Sequence, residues 1–224
     1  MVNDALKKIL FFAICGVFFS LFFLVGPGSA ADRSPEEIAR LLQETYDKTT
    51  SMTADFQQVT SMKMSRRDRR GEGTVAILKP GRMRWDYVSP DPQVLVSDGE
   101  TMSMYFSKSK QMMVMPAKEY LQSDVTYSFF AGTGNILRDF NVMPCEEVEG
   151  EEICSLKLVP KTPHLQVEFI RVWVDSNFLV TRLCIYDNYG SVTDLHFSNI
   201  MINKVISPDF FSFSPPADTE IVEQ

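Results

Sequence analysis

The sequence has few of the residues from which catalytic and metal sites are usually built. Its two histidines, His164 and His196, show no metal-ligand spacing, and His196 stands in an alternating segment that is typical of a structural histidine. No C-x-x-C pair, phosphate loop or G-x-S-x-G nucleophile motif occurs. We therefore expect no catalytic residues, no cofactor and no metal ion, with a hydrolase of dispersed site as the alternative.

Basic residues are outnumbered by acidic ones. The chain has 22 lysines and arginines against 29 aspartates and glutamates, which argues against a nucleic-acid partner. The basic cluster Arg66–Arg70 is interpreted as a solvated hairpin tip, with an anionic partner or membrane surface as the alternative. The acidic segment "CEEVEGEE" lacks the pattern of a calcium loop and is interpreted as a solvated turn.

Long apolar runs are absent except at the N-terminus. Two lysines precede an apolar run over residues 9–25, and a Gly-Pro-Gly segment and small residues follow it. This order predicts a signal peptide over residues 1–30, cleaved near Ala30 or Ala31, and an exported protein. An uncleaved membrane anchor is one alternative. A lipoprotein signal is another, but its acceptor Cys15 follows Ile14 where a small residue is expected.

The exported chain contains only three cysteines, Cys145, Cys154 and Cys184. A hairpin turning on Glu149 and Gly150 would place Cys145 opposite Cys154, close enough for a disulfide in an oxidising compartment. We predict that disulfide, with two unbridged thiols as the alternative. Cys184, flanked by apolar residues, is expected to be a buried small side chain rather than a reactive thiol.

The remaining sequence, residues 31–224, predicts a single domain that is mainly β with a few α-helices. Ser34, Pro35 and Glu37 form a helix-start pattern, and apolar residues at helical spacing predict a helix over residues 34–49. About eleven short alternating segments follow, which favours an antiparallel sheet that curls on itself. Residues 117–138 break the alternation and predict short helices that cover the open face or mouth.

An adaptable apolar lining is the most distinctive positive feature. Removal of residues 1–30 leaves eleven of the twelve methionines. Met83, Trp85 and Tyr87 share one face of a predicted strand, and Met102 and Met104 share a face of another. Methionine accommodates variable shapes well but specifies a tight core poorly. The two interpretations are an ordinary sandwich core and a cavity that admits and releases acyl chains.

The chain resembles the LolA family of periplasmic outer-membrane lipoprotein carrier proteins. The resemblance is clearest in "TADFQQ", "KPGRMRWDYVSPDPQVLVSDGETMSMY" and "FSFSPP". It implies an incomplete antiparallel β-barrel with a helical lid and a monomeric carrier in the periplasm. The carrier would take lipoproteins, by their acyl chains, from an inner-membrane ABC-type releasing complex to an outer-membrane lipoprotein receptor.

The resemblance also suggests the lipid-binding residues. Together with the alternation pattern it points to an apolar set in the barrel and the lid: Phe56, Met83, Trp85, Tyr87, Leu95, Met102, Met104, Leu42, Tyr46, Met52, Phe129 and Phe130. Well-known members of the family carry an arginine immediately before the proline that corresponds to Pro80 here, and this arginine holds the lid shut by hydrogen bonds. Here Lys79 occupies that position, so we expect the latch to be Lys79 or, from a neighbouring position, Arg84.

Two further functions share this fold. A regulatory sensor of envelope lipids or lipoproteins is one, although such sensors usually carry a second domain for which this length leaves little room. The outer-membrane receptor is another, but it needs a lipidated N-terminal cysteine. The enzymatic alternative to a carrier is an exported hydrolase with a dispersed site.

Overall fold

The computed structural model describes residues 33–63, 68–123, 125–146, 149–150, 152–164 and 166–223. The predicted signal peptide, Cys15 and part of the Arg66–Arg70 cluster lie outside these residues. No helix within the described ranges has the length and hydropathy needed to cross a membrane.

Twelve strands form one open sheet. Their order across the sheet is β12-β6-β5-β4-β3-β2-β1-β11-β10-β9-β8-β7. The strands are β1 Ser51–Ser61, β2 Arg69–Leu78, β3 Arg82–Ser89, β4 Gln93–Asp98, β5 Thr101–Phe106, β6 Gln111–Pro116, β7 Phe140–Met143, β8 Leu156–Pro160, β9 Phe169–Val174, β10 Val180–Tyr186, β11 Val192–Ile202 and β12 Glu220–Glu223. Every neighbouring pair is antiparallel except β12, which runs parallel to β6. The predicted mainly β class and incomplete antiparallel barrel are confirmed.

Two details of the strand prediction differ from the structure. The alternating segment "DFFSFSPP" forms a 3₁₀ turn at Pro208–Phe211 and then an irregular stretch, while the unpredicted β12 pairs with β6. The strands expected around Cys145 and Cys154 stop short of both cysteines, at Met143 and Leu156. The structure nevertheless bonds Cys145 to Cys154, with their Cα atoms 5.7 Å apart. Cys184 is a buried free thiol, and it lies in one apolar cluster with Cys154 and Trp173.

The first helix, α1, spans Pro35–Lys48. The side chain of Ser34 accepts a hydrogen bond from the Glu37 amide at 3.2 Å, as the sequence pattern indicates. The residues of α1 that are buried against the sheet and the other helices are Ala39, Leu42, Gln43 and Tyr46.

The second helical region is divided into three short helices. These are α2 Ala117–Ser123, α3 Val125–Phe130 and α4 Ile136–Asp139. Gly132 separates α3 from α4 with a φ of +79°, a conformation that side-chain-bearing residues rarely adopt. We call α1–α4 with the α3–α4 connection, residues 131–135, the lid.

The sheet has two differently covered faces. The inner face packs against the lid and contains the main core cluster, including Phe56, Trp85, Met102 and Leu156. The outer face of β2–β4 is covered by residues 203–216, which we call the C-terminal cover. Its Phe211 is buried against Ala76 and Val96.

Candidate functional site

The inner face of β1–β6 is the site to which the sequence pattern points. Trp85 of β3 lies opposite Val75 of β2 and Leu95 of β4, and Leu95 lies opposite Met104 of β5. On the next inward row Met102 lies opposite Met115 of β6. Trp85 is 1% exposed, and Met83 and Met102 are fully buried. The regular alternation of these strands therefore builds one continuous apolar wall.

The lid closes this wall with aromatic rings. Tyr127 contacts Trp85 at a centroid distance of 5.6 Å, and Phe130 contacts Phe197 of β11 at 5.6 Å. Phe129 packs on Tyr46 of α1 at 4.7 Å. The first two contacts are edge to face, and such aromatic pairs add to the free energy gained by burial alone. The inner face and the lid thus form one aromatic cluster.

The apolar interior between lid and sheet is filled in this state. One apolar cavity there has a volume of about 30 Å³ and lies between Leu42, Phe130 and the aliphatic residues of β8–β10. That space holds a few water molecules at most. A long acyl chain therefore enters this interior only if lid side chains leave it.

All twelve residues predicted to bind lipid meet at this interior. Nine belong to the buried cluster itself: Leu42, Tyr46, Met52, Phe56, Met83, Trp85, Leu95, Met102 and Phe130. The other three, Tyr87, Met104 and Phe129, are partly buried against it. Sequence reasoning missed the facing wall of β8–β10, with Leu158, Ile170 and Val180, although its residues alternate as clearly.

Lys79 connects the sheet to two parts of the lid. Its ammonium group donates a hydrogen bond to the Tyr46 carbonyl at the end of α1, where a positive charge is favoured by the helix dipole. Its aliphatic stem runs beneath Gly132, where an added Cβ would lie 2.7 Å from Lys79 Cδ. Burial lowers the pKa of Lys79, and the carboxylate of Asp47 partly opposes that shift.

Two more hydrogen bonds position the lid. The Gly81 amide, two residues after Lys79, donates to the Ala131 carbonyl at 3.2 Å. The buried side chain of Gln43 accepts a hydrogen bond from the Ile136 amide at 2.8 Å and so ties α1 to α4. The first bond therefore fastens the lid to the β2–β3 turn, and the second fixes two helices of the lid to each other.

Arg84 does not reach the lid. Met83 and Trp85 point inward, so the intervening side chain points to the outer face. There Arg84 forms a two-pronged ion pair with Asp86 at 2.8 and 3.0 Å. It also donates to the carbonyls of Phe210 and Ser212 at 3.0 and 3.4 Å. The structure therefore removes Arg84 from the expected latch and places it in the attachment of the C-terminal cover.

A larger, more polar cleft opens at the rim of the lid. It has a volume of about 630 Å³ and lies between the turns at Gly81 and Gly99 and the α3–α4 connection. Arg138 and Asp139 line it and form an ion pair at 2.6 Å, and this hydrogen bond lowers the pKa of Asp139. In the described part of the chain no three His, Cys, Asp or Glu side chains are grouped closely enough to hold a metal ion.

Comparison with known proteins gives consistent likenesses. The family model described as outer membrane lipoprotein carrier protein LolA matches residues 47–214. The outer-membrane lipoprotein carrier proteins of Dechloromonas aromatica (strain RCB) and Nitrosomonas europaea are 27% and 29% identical over 181 residues. These alignments cover 81% of this chain and 85% and 86% of the relatives. The crystal structure of an uncharacterized conserved protein from Thermus thermophilus shares the fold, with a TM-score of 0.52 at 14% identity over 86% of this chain and 100% of that one.

Proposed function

Since the chain belongs to the LolA family of outer membrane lipoprotein carrier proteins, we propose that it carries lipoproteins across the periplasm by enclosing their acyl chains. It receives them from an inner-membrane ABC-type releasing complex and delivers them to an outer-membrane receptor. Family membership supports the carrier role and argues against an enzyme. The periplasmic location follows from the predicted signal peptide together with that role.

One observation carries the proposal: the apolar side chains expected to bind lipid lie together under a lid that already buries them. An exposed acyl chain is costly, since each methylene in water costs ~0.8 kcal/mol and a long chain on the order of 10 kcal/mol. In the empty protein the rings of Phe129, Phe130 and Tyr127 occupy the interior. When the lid moves away, the acyl chain takes over their contacts with the sheet.

This exchange makes binding reversible without nucleotide hydrolysis. The net binding free energy is the difference between the free energy of burying the lid on the sheet and that of burying the lipid there. Such a difference can be small. The methionines of β3, β5 and β6 suit this exchange because their flexible side chains can repack around either occupant. The latch at Lys79 sets how readily the empty lid opens.

Native mass spectrometry of the protein purified from the periplasm tests the proposal. We expect a bound lipoprotein whose mass includes its acyl chains. The matched control is a lipoprotein whose acceptor cysteine is replaced by serine, so that it cannot be acylated. Equal recovery of the acylated and unacylated forms, or of neither, would overturn the proposal.

A further inference from the structure

The inner face changes from apolar to polar along the strands. On β1 the inward residues Ala54 and Phe56 are buried, whereas the next two inward residues are Gln58 and Thr60. β11 repeats the change, because Phe197 lies opposite Phe56 while Thr193 lies opposite Thr60. The interior therefore has an apolar end near the latch and a polar end near the β1–β2 and β10–β11 turns.

A hydrogen-bonded chain of side chains forms the polar end. The hydroxyl of Tyr87 donates to Gln58 Oε1 at 2.9 Å, and Gln58 Nε2 donates to Thr60 Oγ1 at 3.2 Å. Thr60 Oγ1 lies 3.2 Å from Thr193 Oγ1 across the β1–β11 pair. Gln58, Tyr87 and Thr193 border a cavity of about 200 Å³, with Trp85 and Tyr127 also in its wall. We call this cavity the polar pocket.

One wall residue of the polar pocket has an unused donor. The indole Nε1 of Trp85 is buried and has no hydrogen-bond partner among the described residues. A buried donor without a partner costs free energy, so an acceptor that reached it when the lid opens would be favoured. The described lining of the pocket includes no Asp, Glu, Lys or Arg side chain, and its one imidazole, His164, accepts a hydrogen bond at Nδ1 from the Gln166 amide at 3.2 Å. This composition suits a neutral acceptor rather than a phosphate or carboxylate, since a buried charge needs an opposite charge.

We propose that the polar pocket receives the ester-linked glycerol region of the lipid anchor, with an ester carbonyl accepting a hydrogen bond from Trp85 Nε1. The acyl chains then run from the polar pocket along the methionines of β3 and β5 toward the latch. This orientation matches the polarity of the molecule to that of the interior, because the ester oxygens would otherwise be buried without donors. The proposal rests on the proposed carrier function and specifies which chemical group of the substrate each end of the interior contacts.

Two synthetic ligands measure how much the ester carbonyl contributes to the binding affinity. One is a cysteine peptide carrying a glycerol with two palmitoyl esters, and the other is its dihexadecyl ether analogue, which has no carbonyl groups. We expect the native protein to bind the ester roughly three- to tenfold more tightly, the range of one hydrogen bond. Displacement of a fluorescent fatty acid measures both dissociation constants.

The variant Trp85→Phe tests the donor, because it keeps an aromatic ring but lacks the N–H group. We expect it to bind the ether as the native protein does and to lose the preference for the ester. The matched control is Trp173→Phe. Trp173 is a buried tryptophan of the outer face whose Nε1 also has no partner among the described residues, and this variant should keep the preference.

The outcomes distinguish the two proposals. If the native protein binds ester and ether equally well, the ester site is wrong while the carrier function stands. If it binds neither ligand, the carrier function itself is wrong. A preference for the ester that persists in Trp85→Phe would remove Trp85 from the recognition. The comparison in the native protein needs no variant, so a folding defect in Trp85→Phe leaves the test intact.

Discussion

The two covers of the sheet differ in the contacts that hold them. The lid meets the inner face mainly through aromatic and aliphatic side chains. Lys79 and Gly81 add hydrogen bonds between the lid and the β2–β3 turn, and the Val180 amide of β10 donates to the buried Tyr46 hydroxyl at 3.3 Å. The C-terminal cover buries only a few apolar residues around Phe211, but charged and polar groups fix its backbone. One strand, β3, contributes to both: Trp85 faces the lid and Arg84 faces the cover.

The polar attachment of the C-terminal cover begins at its first residues. The Asn203 side chain accepts a hydrogen bond from the Thr50 amide at 2.8 Å, and Ser51 Oγ donates to the Lys204 carbonyl at 2.6 Å. Hydrogen bonds require a particular donor and acceptor, whereas apolar contacts accept any apolar neighbour of suitable shape. Under the proposed carrier function, we therefore expect lipid to displace the lid and to leave the C-terminal cover in place.

The largest expected effect comes from a matched pair of phenylalanines. Phe130 in the lid is 2% exposed and Phe211 in the C-terminal cover is 1% exposed. We expect Phe130→Ala and Phe211→Ala each to lower the free energy of unfolding of the empty protein by about 3–5 kcal/mol. Saturating lipid should recover most of the loss only in Phe130→Ala, because the acyl chain fills the vacated space. Denaturant titration with and without the diacyl peptide measures this; equal recovery in both variants would contradict the comparison.

A smaller effect is expected at the attachment of the C-terminal cover. Arg84→Met removes the bonds to the Phe210 and Ser212 carbonyls and leaves Asp86 without its charged partner. We expect the free energy of unfolding to fall by about 2–3 kcal/mol while the affinity for lipid is unchanged. The control is Arg82→Met on the same face of β3. A loss of lipid affinity in Arg84→Met would show that the two covers are coupled.

Alkaline pH should lower the free energy of unfolding through the buried tyrosines of the inner face. Burial raises the pKa of Tyr87 from 10.0 to about 12, and burial also raises the pKa of Tyr46. Between pH 10 and 12 the folded protein keeps a proton on Tyr87 that the unfolded chain releases. The free energy of unfolding therefore falls as pH rises through this window, by about 1–2 kcal/mol for Tyr87.

Tyr87→Phe should remove that part of the pH dependence, and Tyr189→Phe, at a residue that is 77% exposed, serves as the control. Urea titrations at pH 9, 10, 11 and 12 would measure the slopes. Identical slopes for Tyr87→Phe and the native protein would show that Tyr87 is not the group responsible.

The smallest effect on stability, but one visible in kinetics, is expected at the latch. Arginine at position 79 has more donors than lysine and can bond carbonyls beyond that of Tyr46. We expect Lys79→Arg to stabilise the closed lid by about 1 kcal/mol and to slow lipoprotein hand-off several-fold. Stopped-flow transfer to acceptor vesicles bearing the receptor measures the rate. Unchanged transfer kinetics would remove Lys79 from the latch role.

The sequence predicts which side chains share a face much better than it predicts what covers that face. Alternation alone brings Met83, Trp85 and Tyr87 to the inner wall, because the pleat of a strand allows only two sides. Local chemistry likewise fixes the start of α1 at Ser34. These predictions need no knowledge of distant residues.

The missed features depend on contacts between distant parts of the chain. The sequence suggests Arg84 for the latch because no local pattern shows that residues 203–216 lie over the outer face. It leaves the state of the interior open, since an adaptable lining is equally compatible with an open hollow and with lid rings that fill it. The pairing of β12 with β6 depends on where the last residues of the chain return.

The position of β12 has a consequence for self-association. An unpaired edge strand invites pairing with another copy of the same chain. Here β12 replaces β6 as the edge strand on that side and carries the exposed carboxylates of Glu220 and Glu223. A short edge strand with like charges disfavours pairing with a second copy, which would place the same charges opposite one another.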